Sequence, residues 1–165
     1  LNKATELKDV EATAARALCM ATWAAGKLYI ALTSERSTCG TRGSRPDVAS
    51  IPNINYCISD FFASVQEKVL RSDRDLSAEK CSLGDLTQLL YGCGVWKKNR
   101  NNNKLGSGRC SVEGHSDRQF FSSVLVAAAR IVRNQNGVKP VPRAVSNFLT
   151  TVADFYCDEE LQEAR

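Results

Sequence analysis

The chain has 165 residues and a formal net charge of +4, with 43% hydrophobic and 24% charged residues. This composition is typical of one globular domain and excludes a disordered chain, which would hold fewer apolar residues and more net charge. Ten glycines and four prolines exclude a collagen-like or proline-rich filament.

The first predicted element is a long helix over about residues 4–32. Its apolar positions recur every seven residues in two interleaved series, Leu7, Ala14, Ala21 and Leu28, and Val10, Ala17, Ala24 and Ala31. This spacing predicts a seam of small side chains that lets a partner helix approach closely. Because the other side is also apolar in its middle, we expect this helix to be the buried centre of the fold. Lys27 interrupts its apolar stretch, which is shorter than a membrane span, so no transmembrane segment is predicted.

Two helices are predicted next. The first covers about residues 55–71 and has an apolar stripe formed by Ile54, Ile58, Phe61, Phe62, Val65 and Val69. The second is short, over 83–91, because Ser82 and Asp85 resemble an N-terminal cap and Gly92 and Gly94 are expected to end it.

Two more helices complete the predicted elements. One runs over about 117–134, after a capping box that begins at Ser116, and its expected inner stripe is Phe121, Val124, Leu125, Ala128, Ile131 and Val132. The last runs over about 143–161, with Val145, Phe148, Leu149, Val152, Phe155 and Tyr156 expected to face inward. The sequence therefore predicts an all-α fold, a disulfide-stabilised helical bundle of four to five helices in a single domain over 1–165, with two long irregular loops at 34–50 and 95–114.

Seven cysteines are dispersed along the chain: Cys19, Cys39, Cys57, Cys81, Cys93, Cys110 and Cys157. No two are close enough for a zinc knuckle or a redox CxxC motif, so neither a metal nor a cofactor is predicted. Their dispersal favours disulfides between segments and an oxidising compartment. The alternative is a cytosolic protein with buried free thiols. The pairing stays open, and the odd number leaves one cysteine free or available for an intermolecular disulfide.

The positive charge is concentrated in one segment. No acidic residue occurs from Leu86 to Val112, and a second acid-free span runs from Arg118 to Ala153. Basic patches attract nucleic acid, sulfated glycans or acidic lipids. The predicted contact residues lie in the loop over 95–114: Trp96, Lys97, Lys98, Arg100, Asn102, Lys104 and Arg109.

The sequence carries no signature of an enzyme. His115 is the only histidine, and no nucleophile elbow, P-loop or dinucleotide-binding motif accompanies it. The sequence begins at Leu1 without the features of a signal peptide, so we expect any such peptide to have been removed. The leading hypothesis is a secreted or cell-surface helical binding domain that presents its basic loop to a protein or polyanion. The alternatives are an intracellular or viral nucleic-acid-binding protein that uses the same loop, and a structural or antigenic surface-coat subunit, which would self-associate or be tethered to a membrane through sequence outside this chain.

Overall fold

The computed structural model describes the backbone of residues 2–38, 52–71, 80–104, 113–134 and 141–156. Within these ranges the chain is helical and has no strand. The five helices are α1 (Asn2–Thr38), α2 (Pro52–Arg71), α3 (Leu83–Lys104), α4 (Glu113–Asn134) and α5 (Pro142–Tyr156). The prediction of an all-α bundle is confirmed.

Disulfide stabilisation stays a prediction. In the described part of the chain, Cys19, Cys57, Cys81 and Cys93 form no disulfide. The other three predicted disulfide candidates, Cys39, Cys110 and Cys157, lie outside the described residues.

Several predicted helix ends were wrong. The third helix does not stop at Gly92 but continues to Lys104, so residues 95–104 of the predicted loop are helical. The first helix likewise extends to Thr38, into the loop expected at 34–50. The fourth helix begins at Glu113, one turn ahead of the predicted Ser116 cap. The rest of both predicted loops, at 39–50 and 105–112, and the expected helix end at 157–161 lie outside the described residues.

The centre of the fold is α3, which corrects the expectation that α1 would be the buried helix. It packs against all four of the other helices. Leu86, Leu89 and Leu90 of α3 are completely buried, and burial continues through Val95 and Trp96. Because consecutive residues from 92 to 96 are all buried, this part of α3 is enclosed on every side of the helix.

The glycines of α3 provide the close contacts that allow this enclosure. A Cβ atom on Gly92 would lie 2.6 Å from the carbonyl carbon of Thr22 in α1. One on Gly26 would lie 2.8 Å from the Cα atom of Gly92. On α3's other flank, a Cβ on Gly94 would collide with the ring of Phe155 in α5. Glycine at these positions therefore permits helix contact and does not end the helix.

Helices α1 and α3 run parallel to each other. Glu11 of α1 pairs with Lys80 just ahead of α3, and Arg16 pairs with Asp85 in the first turn of α3. Further along, Thr22 lies against Gly92. The residue numbers of the contacts rise together along both helices, which defines the parallel direction. The next helix along the chain, α2, contacts both of them.

An aromatic cluster joins α2 to the end of the α3 core. The rings of Phe62 and Trp96 are stacked with centroids 5.5 Å apart, and the indole Nε1–H of Trp96 donates to Ser59 Oγ at 3.4 Å. The predicted stripe of α2 is confirmed where Ile58, Phe62, Val65 and Val69 are buried.

The inner stripe of α4 is rotated from the predicted one. Val124, Ala128 and Ile131 are buried as expected, but Leu125 and Val132 are exposed, and Phe120 and Ala127 are buried with the first three. In α5, Leu149 is exposed, which also contradicts its predicted inward position, whereas Phe148 is buried.

Candidate interaction surface

The predicted contact residues from Trp96 to Lys104 lie on helix α3 and not on a loop. Trp96 is only 3% exposed and belongs to the core, so its prediction as a contact residue was wrong. Lys97 is half-buried and places its ammonium 5.5 Å from the ring centroid of Tyr156. Lys98 is exposed. The side chains of Arg100, Asn102 and Lys104, on the last turns of α3, and all of Arg109 lie outside the described residues.

Helix α1 has two seams with the same seven-residue period, and they lie on nearly opposite sides of the helix. The inner seam faces the bundle and consists of the half-buried Ala12 and Ala15 and the buried Cys19, Thr22, Gly26 and Tyr29. The outer seam faces away and consists of Val10, Ala14, Ala17, Ala21, Ala24, Leu28 and Ala31, all of them exposed. The sequence identified the outer seam correctly but assigned it to the inside of the fold.

The missed signal is in the inner seam itself. Gly26 and Cys19 are small residues in the middle of a long helix. Glycine at such a position destabilises a helix by about 1 kcal/mol unless its small size permits a close contact. Thr22 satisfies its hydroxyl locally by donating to the Leu18 carbonyl at 2.7 Å, which makes a buried threonine acceptable. Residues that tolerate close backbone contact therefore mark the packed side of α1.

The outer seam carries large apolar side chains in water. Val10 is 69% exposed and Leu28 is 53% exposed, and beside the seam Met20 and Trp23 are 60% and 41% exposed. Near the N-terminal end of the seam, an open groove of about 440 Å³ is lined by Val10, Thr13, Ala14 and Ala17. An apolar surface that is continuous along a helix in this way is typical of a protein contact site.

Charged groups are almost absent from this surface. Between residues 12 and 26 the only charged residue is Arg16, and it reaches Asp85 of α3 at 4.0 Å. Lys27 lies at the seam's edge, but its ammonium is 4.8 Å from the ring centroid of Tyr91 and 5.7 Å from that of Trp23. These cation–π contacts hold the lysine against its own bundle. The outer seam is therefore apolar over several turns.

A second group of residues that could take part in chemistry consists of the three buried cysteines Cys19, Cys81 and Cys93. A hydrogen bond with Cys81, followed by burial, raises the pKa of the Cys19 thiol far above its ordinary value. Burial, with a smaller effect of Asp117, raises the pKa of Cys93 in the same direction. Thiols with raised pKa values are poor nucleophiles, because the thiolate is the reactive form.

Within the described residues, no group of three or more histidine, cysteine, aspartate or glutamate side chains is arranged to hold a metal ion. Among the described helices, none combines the length and the apolar character that crossing a membrane requires. Comparison of the chain with protein-family models, curated proteins and solved structures finds no match in any of the three.

Proposed function

We propose that the chain is a helical binding domain whose partner is a second copy of itself, docked in antiparallel orientation along the outer seam of α1. The observation that carries the proposal is the exposure of the large apolar side chains of this seam. Binding, not catalysis, is the activity that this surface supports. The proposal keeps the predicted class of a recognition or self-associating coat protein and moves the contact from the basic segment to α1.

The order of residues in the outer seam makes it self-complementary. In an antiparallel pair centred at the level of residue 19, Val10 of one copy lies opposite Leu28 of the other. Ala14 then lies opposite Ala24, and Ala17 lies opposite Ala21. The larger side chains thus meet each other at both ends, and the alanines meet in the middle. A two-fold interface of this kind needs only one surface patch.

The seven-residue period is a further reason to expect a partner helix. A straight α-helix drifts by about 20° per heptad against a strict seven-residue repeat, so a sustained repeat is matched to a second helix that coils around it. Alanine at the central positions lets the helix axes approach to the short end of the usual range of about 8–10 Å. The inner seam already contacts α3, and the outer seam is the one without a partner in the described part of the chain.

The size of the seam predicts weak association. From Val10 to Ala31 it extends about 32 Å along the helix. With a contact width of about 10 Å, each copy would bury roughly 300 Å², and more with the flanking Met20 and Trp23. Stable complexes usually bury about 1,200 Å² or more in total. We therefore expect a dimer with a dissociation constant of roughly 10–100 µM, favoured where the protein is concentrated.

Analytical ultracentrifugation across a range of concentrations tests the proposal. Leu28→Glu should weaken dimerisation by at least roughly 100-fold, because each dimer loses two buried leucines. The matched control is Leu149→Glu in α5, where the leucine is exposed to a similar extent, 58% against 53%, but lies outside the seam. Equal effects of the two substitutions, or a monomer at all concentrations up to roughly 1 mM, would contradict the proposal.

A charge pair tests the antiparallel orientation. Val10→Lys should weaken the dimer by itself, and adding Leu28→Glu to the same chain should restore it in part. In the antiparallel dimer each introduced lysine lies opposite an introduced glutamate of the other copy, whereas a parallel dimer would bring the two lysines together. The two positions are about 27 Å apart along one helix, so the rescue cannot come from a contact within the chain. A double variant that is weaker than the single one would contradict the orientation.

A second candidate function is binding of a polyanion, such as nucleic acid, through exposed arginines. Arg130 and Arg133 of α4 and Arg143 of α5 are exposed, and they lie in a segment without acidic residues. If they contact phosphates, the affinity for a short RNA or DNA should fall steeply with salt. The double variant Arg130→Ala and Arg133→Ala should then reduce the salt dependence by nearly two contacts. An unchanged slope would exclude this use of the arginines.

A further inference from the structure

Helix α4 has large apolar side chains on the side that faces away from the bundle. Its buried side packs against α2 and α3. On the other side, Leu125, Val126 and Val132 are between 38% and 46% exposed, and Ala129, one turn after Leu125, is exposed with them. At 3.6 residues per turn these four positions lie within about a third of the helix circumference. They therefore form one apolar strip along the outside of α4.

Arginines lie at both ends of this strip. Arg118 precedes it, Arg130 and Arg133 lie near its C-terminal end, and all three are exposed. The distance from Arg118 to Arg133 along the helix is about 22 Å, and no acidic residue occurs between them. The outer face of α4, formed by the four apolar residues and the three arginines, therefore combines aliphatic side chains with charge of a single sign.

This combination matches the chemistry of an anionic phospholipid surface. A guanidinium binds phosphate oxygens through two parallel hydrogen bonds, while the aliphatic stem of the arginine lies along apolar surface. Exposed valine and leucine side chains are stabilised at the boundary between the headgroups and the acyl chains. A lipid surface offers both kinds of contact in one plane, so the arginines and the aliphatic strip can be used together.

The aromatic residues of α4 argue against single-stranded nucleic acid as the ligand of this face. Proteins that bind single strands usually stack the bases on exposed aromatic rings. Phe120 is completely buried, and the ring of Phe121 is stacked on that of Tyr156 with centroids 4.5 Å apart. The outer face of α4 thus presents aliphatic groups and no aromatic ring.

We propose that the outer face of α4 binds reversibly to a membrane surface that contains anionic phospholipid. The helix lies parallel to the surface, with its arginines on the lipid phosphates and its aliphatic strip among the headgroups. Three arginines and a short apolar strip give weak binding, comparable to that of a single myristoyl chain, with half-saturation at roughly 0.1–1 mM accessible lipid. This inference does not rest on the proposed dimer, which uses α1.

Flotation of the full chain with lipid vesicles tests the proposal. One set of vesicles contains phosphatidylcholine alone, and the other contains about one third phosphatidylserine. The protein is kept at about 1 µM, below the dissociation constant expected for the dimer, so that monomers are measured. We expect binding to the vesicles with phosphatidylserine and none to the neutral vesicles.

Two double variants separate the charged and apolar contributions. Arg130→Ala with Arg133→Ala should lower the vesicle affinity by roughly 30-fold, because each arginine near an anionic surface contributes to binding. Val126→Ser with Val132→Ser should lower it by roughly tenfold, because apolar area is no longer removed from water. The matched control is Val10→Ser, an exposed valine of α1, which should leave vesicle binding unchanged. All of these positions are exposed, and circular dichroism checks that the variants stay folded.

Several outcomes would overturn the proposal. One is the absence of binding to both kinds of vesicle up to roughly 10 mM lipid. Another is an equal loss of binding in Val10→Ser and in the double valine variant. Full binding by the double valine variant would show that the aliphatic strip does not enter the membrane surface. Binding of a short RNA without vesicle binding would assign the arginines to nucleic acid instead. A chain that dimerises but does not bind vesicles refutes this inference alone, and a monomer that binds them refutes only the dimer.

Discussion

The contact between α1 and α3 predicts that Gly92→Ala is destabilising although alanine is the better helix former. The added Cβ atom would lie 2.6 Å from the Thr22 carbonyl carbon and 2.9 Å from its Cγ2 atom. Helical backbone cannot rotate away as a flexible side chain can, so α1 has to shift. Overpacking of this kind costs about 1–3 kcal/mol, and the loss of contacts along the shifted helix adds to it, whereas helix propensity returns about 1 kcal/mol. We expect a net loss of about 2 kcal/mol.

The matched control lies on the same helix. A Cβ atom on Gly84 would meet only Ser82 Oγ, at an ordinary contact distance of 3.5 Å. Gly84→Ala should therefore raise the free energy of unfolding by about 0.5–1 kcal/mol. Urea denaturation of both variants, followed by circular dichroism at 222 nm (roughly the helical band), gives the two values. If Gly92→Ala is as stable as Gly84→Ala, the close contact of α1 with α3 is refuted.

Three further predictions concern the buried thiols, the cap of α3 and the core tryptophan. Because the pKa values of Cys19 and Cys93 are raised above 9.0, the unfolded state loses these protons first. The contribution of these thiols to the free energy of unfolding should therefore be constant below about pH 9. Above that pH the free energy of unfolding should fall by up to about 1.4 kcal/mol per pH unit for each thiol. In urea titrations between about pH 8 and about pH 10.5, Cys93→Ala should make the decrease of the free energy of unfolding with pH shallower. Ser82→Ala should cost about 1 kcal/mol, measured by the same denaturation, because it removes a reciprocal cap; an unchanged midpoint would contradict the cap. Trp96→Ala should cost about 3–5 kcal/mol, whereas alanine at the exposed Lys98 should change stability by less than about 0.5 kcal/mol; similar values would place Trp96 outside the core.

The apolar period of the sequence predicts the buried side of a helix well. Glycines, in contrast, predict the helix ends poorly. The stripe through Phe62, Val65 and Val69 has a clear helical period, and the structure buries it as expected. Gly92 and Gly94 resemble helix-ending signals in the sequence. Only the neighbouring helices show that the same missing side chain permits contact, and a tertiary contact of this kind leaves no local signal.

The candidate surface on α1 was also predicted only in part from the sequence. The alanine period of α1 predicts a packing seam, and the structure has one, but two seams with equal spacing share the helix. Periodicity gives the separation of apolar residues and not which of two seams meets the bundle. Trp96 fails for a related reason: its position beside a run of basic residues indicates a binding loop, whereas its stacking on Phe62 depends on where α2 packs.

The parallel pairing of α1 and α3 also has a consequence for biosynthesis. Glu11 and Lys80, and Arg16 and Asp85, are each separated by 69 residues of chain. At typical translation speeds of about 5–20 residues per second, a ribosome needs roughly 3–13 s to add the 66 residues between the end of α1 at Thr38 and the end of α3 at Lys104. During this interval α1 waits beside the exit tunnel without its main contact, and both of its apolar sides are available to chaperones or to neighbouring nascent chains.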